Sequence, residues 1–129
     1  MSQKHILLVD DEHDIREVVS ISLQAVAGWR VSTASGGSQG IATARAERPD
    51  AILLDVMMPD IDGPATFRRL QADPQTREIP VILLTAKAQS ADRRAFDRLG
   101  VAGTLTKPFD PLTLSAQVEA LLAWSGDRS

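Results

Sequence analysis

Short apolar runs and amphipathic segments alternate along the chain. The runs have the length and composition of buried strands, and they lie at residues 5–9, 29–34, 51–54, 81–85 and 101–106. Each run is followed by a segment with apolar residues at helical spacing; these segments lie at about 15–26, 38–47, 64–70, 91–99 and 111–122. In the first helix, the apolar positions are Ile15, Val18, Val19, Leu23 and Val26. The chain therefore predicts five strand–helix units.

Glycine, proline and aspartate mark the ends of several predicted helices. Gly28 and Gly100 follow the first and fourth helices, and Pro49 follows the second. Asp110 and Pro111 predict an N-cap and a proline in the first turn of the last helix.

Strict alternation of continuous apolar strands with amphipathic helices predicts an α/β fold. We expect a doubly wound, five-stranded parallel sheet covered by helices on both faces. The 129 residues have the length of one domain, with a core at about 4–124 and a loose tail at 125–129. Ligands of such sheets bind beyond the carboxyl ends of the strands.

Composition narrows the class of protein. Apolar residues make up 43% and charged residues 24%, as in ordinary globular proteins. The absence of cysteine excludes disulfides and thiolate metal sites. The start lacks the pattern of a signal peptide, and no apolar stretch approaches the ~20 residues that span a membrane, so we expect a cytoplasmic protein. A net charge of −3 argues against direct nucleic-acid binding.

Reactive side chains follow four of the five predicted strands. Asp10 and Asp11 follow the first, Asp55 the third and Lys107 the fifth, while Thr85 ends the fourth. Taken singly, each could be a helix cap, a turn residue or a solvated loop residue. Because the carboxyl ends of parallel strands meet at one edge of a sheet, we expect these side chains to meet at one site.

Their chemistry favours phosphoryl transfer. Crowded carboxylates are relieved by a proton or a cation, and oxygen ligands without histidine or cysteine nearby suit Mg²⁺. A carboxylate beside Mg²⁺, here Asp55, can attack phosphorus. Lys107 would neutralise the phosphoryl oxygens and Thr85 would donate a hydrogen bond to one of them.

Four segments resemble, in order, the signature segments of one family, the receiver domain of two-component response regulators. The segments are LLVDDE, LLDVMMPDIDG, VILLTA and LTKPF. The resemblance spans about residues 4–123, and the intervals of 30 residues from Asp55 to Thr85 and 22 from Thr85 to Lys107 are similar to those of the family. It implies the flavodoxin-like (βα)5 fold and a phosphorylation-controlled signalling switch.

The resemblance implies a role for each matching position in phosphorylation. Asp55 matches the phosphoacceptor, which receives its phosphoryl group from a histidine kinase or a histidine phosphotransfer protein. Asp11 matches the direct ligand of Mg²⁺ or Mn²⁺, and Asp10 the second acid, which acts largely through water. The backbone carbonyl of Met57 matches a further ligand. Such a protein catalyses its own phosphorylation and dephosphorylation without turning over a separate substrate.

At the fourth and fifth strands, the resemblance implies that the Thr85 hydroxyl swings toward the phosphoryl group and that Lys107 pairs with it. Pro108 matches the proline that follows the lysine after a cis peptide bond. One departure is Thr104, which stands where many receivers have an aromatic switch residue. Met57 and Lys87 match the positions that tune self-hydrolysis, and an apolar Met57 predicts a long-lived phosphoryl group.

Other functions remain open at this level. A haloacid dehalogenase-type phosphatase would need an acid where Met57 stands, and a nucleotide binder would need a Ser/Thr/Gly-rich loop where the chain has DDEHD. A receiver that serves only as an interaction module is a third alternative. No output domain is present, so we expect docking to a downstream protein, or a domain cut from a longer regulator.

The remaining histidines and tryptophans carry no predicted chemistry. His5 and His13 are expected at the surface or at helix caps, since their spacing matches no common metal-ligand pattern. Trp29 and Trp124 are expected to be packing residues.

Overall fold

The computed structural model describes residues 3–86 and 90–124, which form five strands and five helices in alternation. The strands are β1 (His5–Val9), β2 (Arg30–Ala34), β3 (Ala51–Asp55), β4 (Val81–Thr85) and β5 (Gly103–Thr106). The helices are α1 (His13–Ala27), α2 (Gly37–Glu47), α3 (Gly63–Ala72), α4 (Ser90–Asp97) and α5 (Leu114–Leu122). All strand pairs are parallel, in the order β2-β1-β3-β4-β5. The predicted α/β fold is confirmed.

Helices cover both faces of the sheet, so the central strands are buried at every position and are apolar except at their end residues. Side chains that alternate along a strand point to opposite faces. Leu8 therefore packs with Leu23 of α1 and Val118 of α5. Its neighbour Leu7 packs on the other face with Ala44 of α2 and Phe67 of α3. Burial on both faces explains why these strands lack polar alternation.

The strand register brings the carboxyl ends of the central strands to the same level. Val9 pairs with Leu54, and the next residue, Asp55, pairs with Leu84. Thr85 in turn pairs with Thr106. Residues that follow these strands are consequently neighbours at one edge of the sheet.

One sequence expectation about helices is wrong. Helix α5 begins at Leu114 rather than at residue 111, because Asp110 closes a turn instead of capping the helix. Its side chain accepts the Leu112 N–H at 2.9 Å and its carbonyl accepts the Thr113 and Leu114 N–H groups.

In α1, Val18 and Val26 do not face the core, being 47% and 48% exposed. Ile15, Val19 and Leu23 are spaced four apart and form the stripe that packs on the sheet. Across residues 3–86 and 90–124, no helix combines the length and the apolar content that crossing a membrane requires.

The two tryptophans pack together at the amino-terminal edge of the sheet, as expected for packing residues. Trp29 precedes β2 and Trp124 follows α5, and their ring centroids are 5.4 Å apart with planes at 82°. The Nζ of Lys4 lies 4.5 Å from the centroid of Trp124. This edge-to-face pair with its cation joins the beginning of the sheet to the end of the last helix.

Candidate functional site

Three carboxylates converge at the carboxyl edge of the sheet. Asp10 and Asp55 are buried, with 0% and 4% exposure, while Asp11 is exposed. One oxygen of each lies within 4.8 Å of an oxygen of the other two. The structure thus brings together the acids that the sequence placed at two different strand ends.

The ammonium group of Lys107 is shared by three carboxylates. Its Nζ lies 2.9 Å from Asp10 Oδ2, 3.2 Å from Asp55 Oδ1 and 3.3 Å from Glu12 Oε1. The Lys107 N–H donates to the carbonyl of Thr85, which continues the β4–β5 pairing to this point. The peptide bond from Lys107 to Pro108 is cis, as the resemblance implied.

Charge and burial act in opposite directions on the pKa of Lys107. Burial lowers the pKa of the ammonium group, but the hydrogen bond and charge of Asp10, followed by those of Asp55, outweigh it and raise the pKa above its usual value. The side chain is therefore a permanent cation at neutral pH.

Glu12 is a site residue that the sequence did not reveal. It is the third acid of the DDE run and is exposed, with 61% of its side chain accessible. The signal in the sequence was the run of three acids, but the resemblance gave roles only to Asp10 and Asp11. Which acid reaches the lysine depends on how the chain turns into α1.

Burial raises the pKa of Asp55 to about 6, and the charge of Asp10 adds to this effect. The charge and hydrogen bond of Lys107 and the N–H of Met57 act in the opposite direction but do not compensate. Asp55 is consequently ionised at neutral pH while remaining more basic than an ordinary aspartate.

Asp10 has the features of a cation ligand. Its Oδ1 accepts the N–H of Glu12 at 2.9 Å, and its carbonyl accepts a hydrogen bond from Arg16 at 2.8 Å. Its buried Oδ2 lies 2.9 Å from the ammonium group of Lys107 and has no other partner among the described residues. A buried carboxylate oxygen that can accept a further partner, within an all-oxygen cluster, fits a hard divalent cation.

The site opens into a cleft of about 300 Å³. Its lining residues are Asp11, Glu12, Asp55, Met57, Ala86 and Lys107. The Met57 side chain is 76% exposed at the rim, and Thr85, at the end of β4, is buried. Three acids and one cation, Lys107, therefore line the cleft.

The loop that follows Asp55 is tightly built. A Cβ on Gly63 would lie 2.5 Å from the Asp55 carbonyl oxygen and 2.8 Å from Val56 Cα, so only glycine fits there. Asp62 caps α3 by accepting the Ala65 N–H at 2.8 Å. Helix α3 thus begins directly against the backbone of the acid at the centre of the site.

Thr104 stands apart from the cluster, within β5. Thr104 is half-buried in β5 and pairs in register with Leu83. Lys87 lies outside the described residues.

His5 was expected at the surface or at a cap and is instead buried, at the opposite end of β1. Its Nε2 lies 2.8 Å from the hydroxyl of Ser32 and 3.3 Å from a carboxylate oxygen of Glu47, which explains its burial. His13 is the exposed first residue of α1.

Comparison with known proteins matches this arrangement to one family. The family model described as the response regulator receiver domain matches residues 6–119. The chain is 44% identical over 118 residues to the DNA-binding dual master transcriptional regulator RpaA of Synechocystis sp., covering 91% of this chain and 48% of that protein. It is 39% identical over 126 residues to the phosphate regulon transcriptional regulatory protein PhoB of Pseudomonas aeruginosa, covering 98% and 55%. The chain therefore spans about half the length of these curated relatives.

Solved structures give the same result. The chemotaxis protein CheY4 of Vibrio cholerae superposes with a TM-score of 0.86 at 32% identity, covering 93% of this chain and 99% of that one. The receiver domain of the sensor histidine kinase PA1611 of Pseudomonas aeruginosa gives 0.82 at 32% identity, covering 95% and 99%. The latter structure has a magnesium ion coordinated in its active site cleft.

Proposed function

The chain belongs to the response regulator receiver domain family, and we propose that Asp55 is the residue at which it accepts a phosphoryl group from a phosphohistidine. The observation that carries this assignment is the pairing of a buried, more basic carboxylate with Lys107 at 3.2 Å, facing an open cleft. The donor would be a histidine kinase or a histidine phosphotransfer protein.

The transfer exchanges one bond to phosphorus for another. An oxygen of ionised Asp55 bonds to phosphorus while the bond from phosphorus to the donor nitrogen breaks, and the electron pair stays on that nitrogen. Lys107, already 3.2 Å from Asp55 Oδ1, would pair with the phosphoryl oxygens. The Thr85 hydroxyl, at the neighbouring strand end, would donate a hydrogen bond to one of them.

The residues that would hold Mg²⁺, or Mn²⁺, are Asp10, Asp11, Asp55 and the backbone carbonyl of Met57. The buried carboxylate of Asp10 and the exposed carboxylate of Asp11 supply oxygens within 4.8 Å of each other and of Asp55. When bound, the ion neutralises negative charge on the phosphoryl oxygens and on the crowded carboxylates. The protein's part is to hold these oxygens in place before the donor arrives.

The phosphorylated state of Asp55 ends by self-hydrolysis. Water attacks phosphorus, the bond from the Asp55 oxygen breaks, and inorganic phosphate leaves. The apolar, exposed side chain of Met57 supplies no group that orients this water, so we propose slow decay. Pro108 and Thr104, and Lys87 outside the described residues, complete the set of proposed switch and tuning positions.

The output is proposed to be docking to a protein partner, in the cytoplasm. Thr104 has no aromatic ring to bury or expose, so this docking surface would respond to phosphorylation by another movement of the sheet edge. For the whole regulator, output through a linked domain is the alternative proposal, because the matched relatives are about twice as long.

The test is incubation with acetyl phosphate, with and without Mg²⁺, followed by intact mass. We expect one phosphoryl group that requires Mg²⁺ and is lost completely in Asp55→Asn. Asp97→Asn, which alters an exposed carboxylate of α4, should behave like the wild type. After donor removal, decay over minutes or longer is expected, and a half-life of seconds would contradict the role of Met57. No phosphorylation at all would leave an interaction-only module.

A further inference from the structure

Asp60 caps a helix to which it does not belong. It lies in the loop between Asp55 and α3, yet its Oδ1 accepts the N–H of Gly37 and its Oδ2 the N–H of Ser38, both at 3.1 Å. These N–H groups begin α2, whose own N-cap position, Gly36, has no side chain. The first N–H groups of a helix need such a partner. The loop therefore supplies the cap that α2 lacks.

The electrostatics agree with a firm contact. The N–H groups of Ser38 and Ile61, with a further contribution from Gly37, lower the pKa of Asp60. The carboxylate is thus ionised at neutral pH, and negative charge is favourable at the amino end of a helix.

The surrounding glycines permit this close approach. A Cβ on Gly36 would lie 2.9 Å from Asp60 Oδ2, and one on Gly37 would lie 2.5 Å from Thr66 Oγ1 and 3.0 Å from Ile61 Cβ. Any side chain at these two positions would push α2 away from the loop. Gly36 and Gly37 therefore allow α2 to pack closely against the loop that carries Asp60.

Helix α2 is also fitted to the strand that carries the other acids. A Cβ on Gly40 would lie 2.8 Å from Val9 Cγ2, so α2 rests directly on the residue that precedes Asp10. Asp60 therefore connects the loop after β3 to the end of β1 through α2.

The link through Asp60 and α2 lies beyond the last paired residues of β1 and β3. Val9 and Leu54 are the last residues paired between β1 and β3. Beyond them, the Asp10 N–H donates to Ala34 on one side, while the Val56 N–H donates to Leu84 on the other. The two segments that carry the proposed cation ligands thus diverge.

We propose that Asp60 is a positioning residue, which holds the β3–α3 loop and the Met57 carbonyl at the distance from Asp10 and Asp11 that a divalent cation requires. This inference rests on the proposed function, since it concerns the same site. The competing explanation is that Asp60 only stabilises α2 as a cap.

Asp73 offers a matched control. Its Oδ2 lies 2.6 Å from Nε of Arg45, so it joins α2 to the end of α3, away from the site. Its Oδ1 accepts the Gln75 N–H at 2.9 Å, and the bond to Arg45 is the main cause of its lowered pKa. Removing Asp73 deletes the same charge and a second link of α2, without touching the loop.

The experiment measures Mg²⁺ affinity by isothermal titration calorimetry in the wild type, Asp60→Ala, Asp60→Asn and Asp73→Ala. We expect Asp60→Ala to weaken Mg²⁺ binding about tenfold, as loss of an outer support of a metal site does. Asp60→Asn should lose less, because its amide oxygen still accepts one hydrogen bond. Asp73→Ala should lower the melting temperature but keep the wild-type affinity.

Equal Mg²⁺ affinity in Asp60→Ala and Asp73→Ala would overturn the proposal and leave Asp60 as a helix cap. If circular dichroism shows that Asp60→Ala is unfolded, Asp60→Asn decides, and wild-type affinity in that variant overturns the proposal. A wild type that binds no Mg²⁺ and takes no phosphoryl group from acetyl phosphate would instead overturn the proposed function, and this inference with it. A phosphorylated wild type with an unaffected Asp60→Ala overturns the inference alone.

Discussion

Asp55 is ionised at neutral pH and is also more basic than an ordinary aspartate. The two properties oppose each other, because a more basic carboxylate is less completely ionised at a given pH. A carboxylate buried beside another carboxylate holds its proton more tightly, and its oxygen is then a better nucleophile once the proton has left. Lys107 limits this effect so that the pKa of Asp55 reaches only about 6. The pKa of Asp55 therefore lies just below physiological pH.

The raised pKa of Asp55 predicts a stability cost that appears as pH rises. Below about pH 4 the carboxyl is protonated in both the folded and the unfolded protein, so it has no effect. Between its ordinary value of 3.8 and about 6, only the unfolded chain ionises freely, and folding is progressively penalised. In metal-free buffer, wild type should lose about 1–3 kcal/mol of unfolding free energy relative to Asp55→Asn between pH 4 and pH 7.

Urea unfolding of the two proteins at several pH values, with a chelator present, measures this difference. The two should be closest near pH 4, and the gap should stop growing above about pH 7. A gap that stays constant across this range would mean that the environment of Asp55 does not perturb its ionisation.

The β3–α3 loop is the element that the site depends on most. It is fixed at its start by Val56, whose N–H donates to Leu84, and at its end by Gly63, whose N–H donates to the Val56 carbonyl. The loop thus closes on itself directly behind Asp55, and Met57 within it lines the cleft.

Replacing Gly63 with alanine should therefore damage both the fold and the site. The added Cβ would overlap backbone atoms of Asp55 and Val56, which cannot rotate away, so we expect a loss of about 1–3 kcal/mol in unfolding free energy and weaker Mg²⁺ binding. Gly28→Ala is the control: its φ of 70° strains alanine by about 1 kcal/mol, but the added Cβ would meet no atom within 4 Å beyond its own chain neighbours.

Denaturant unfolding and Mg²⁺ titration of both variants separate the two effects. Gly28→Ala should lose stability with unchanged Mg²⁺ affinity. If Gly63→Ala behaved in the same way, the close contact beneath Asp55 would not matter to the site.

At the scale of the whole molecule, the sequence predicted the fold and most of the site because both follow from local patterns. Apolar runs identified the strands, and their carboxyl ends identified Asp10, Asp55 and Lys107. Glu12 and Asp60 escaped because their roles are created by contacts between distant segments, 95 residues apart for Glu12 and Lys107 and 23 for Asp60 and Gly37. Neither contact produces a pattern of hydrophobic and polar residues that could be read from the sequence.

Mg²⁺ should stabilise the entire domain, since the crowded carboxylates are brought together only in the folded state. At a concentration ten times its dissociation constant, the ion should add about 1.4 kcal/mol to the unfolding free energy and raise the melting temperature by about 3–6 °C. Asp11→Asn, which removes the exposed carboxylate of the cluster, should reduce this rise. An undiminished rise in that variant would show that the ion binds elsewhere.

The position of the tryptophan pair determines which structural changes the intrinsic fluorescence of this protein reports. With two tryptophans and no tyrosine, the near-ultraviolet emission comes almost entirely from Trp29 and Trp124, whose rings interlock at one edge of the sheet. The acids occupy the other edge, about 15 Å away along strands of this length. Intrinsic fluorescence is therefore a clean reporter of global unfolding, whereas events at Asp55 pass unseen unless a dye or a new chromophore is placed beside it.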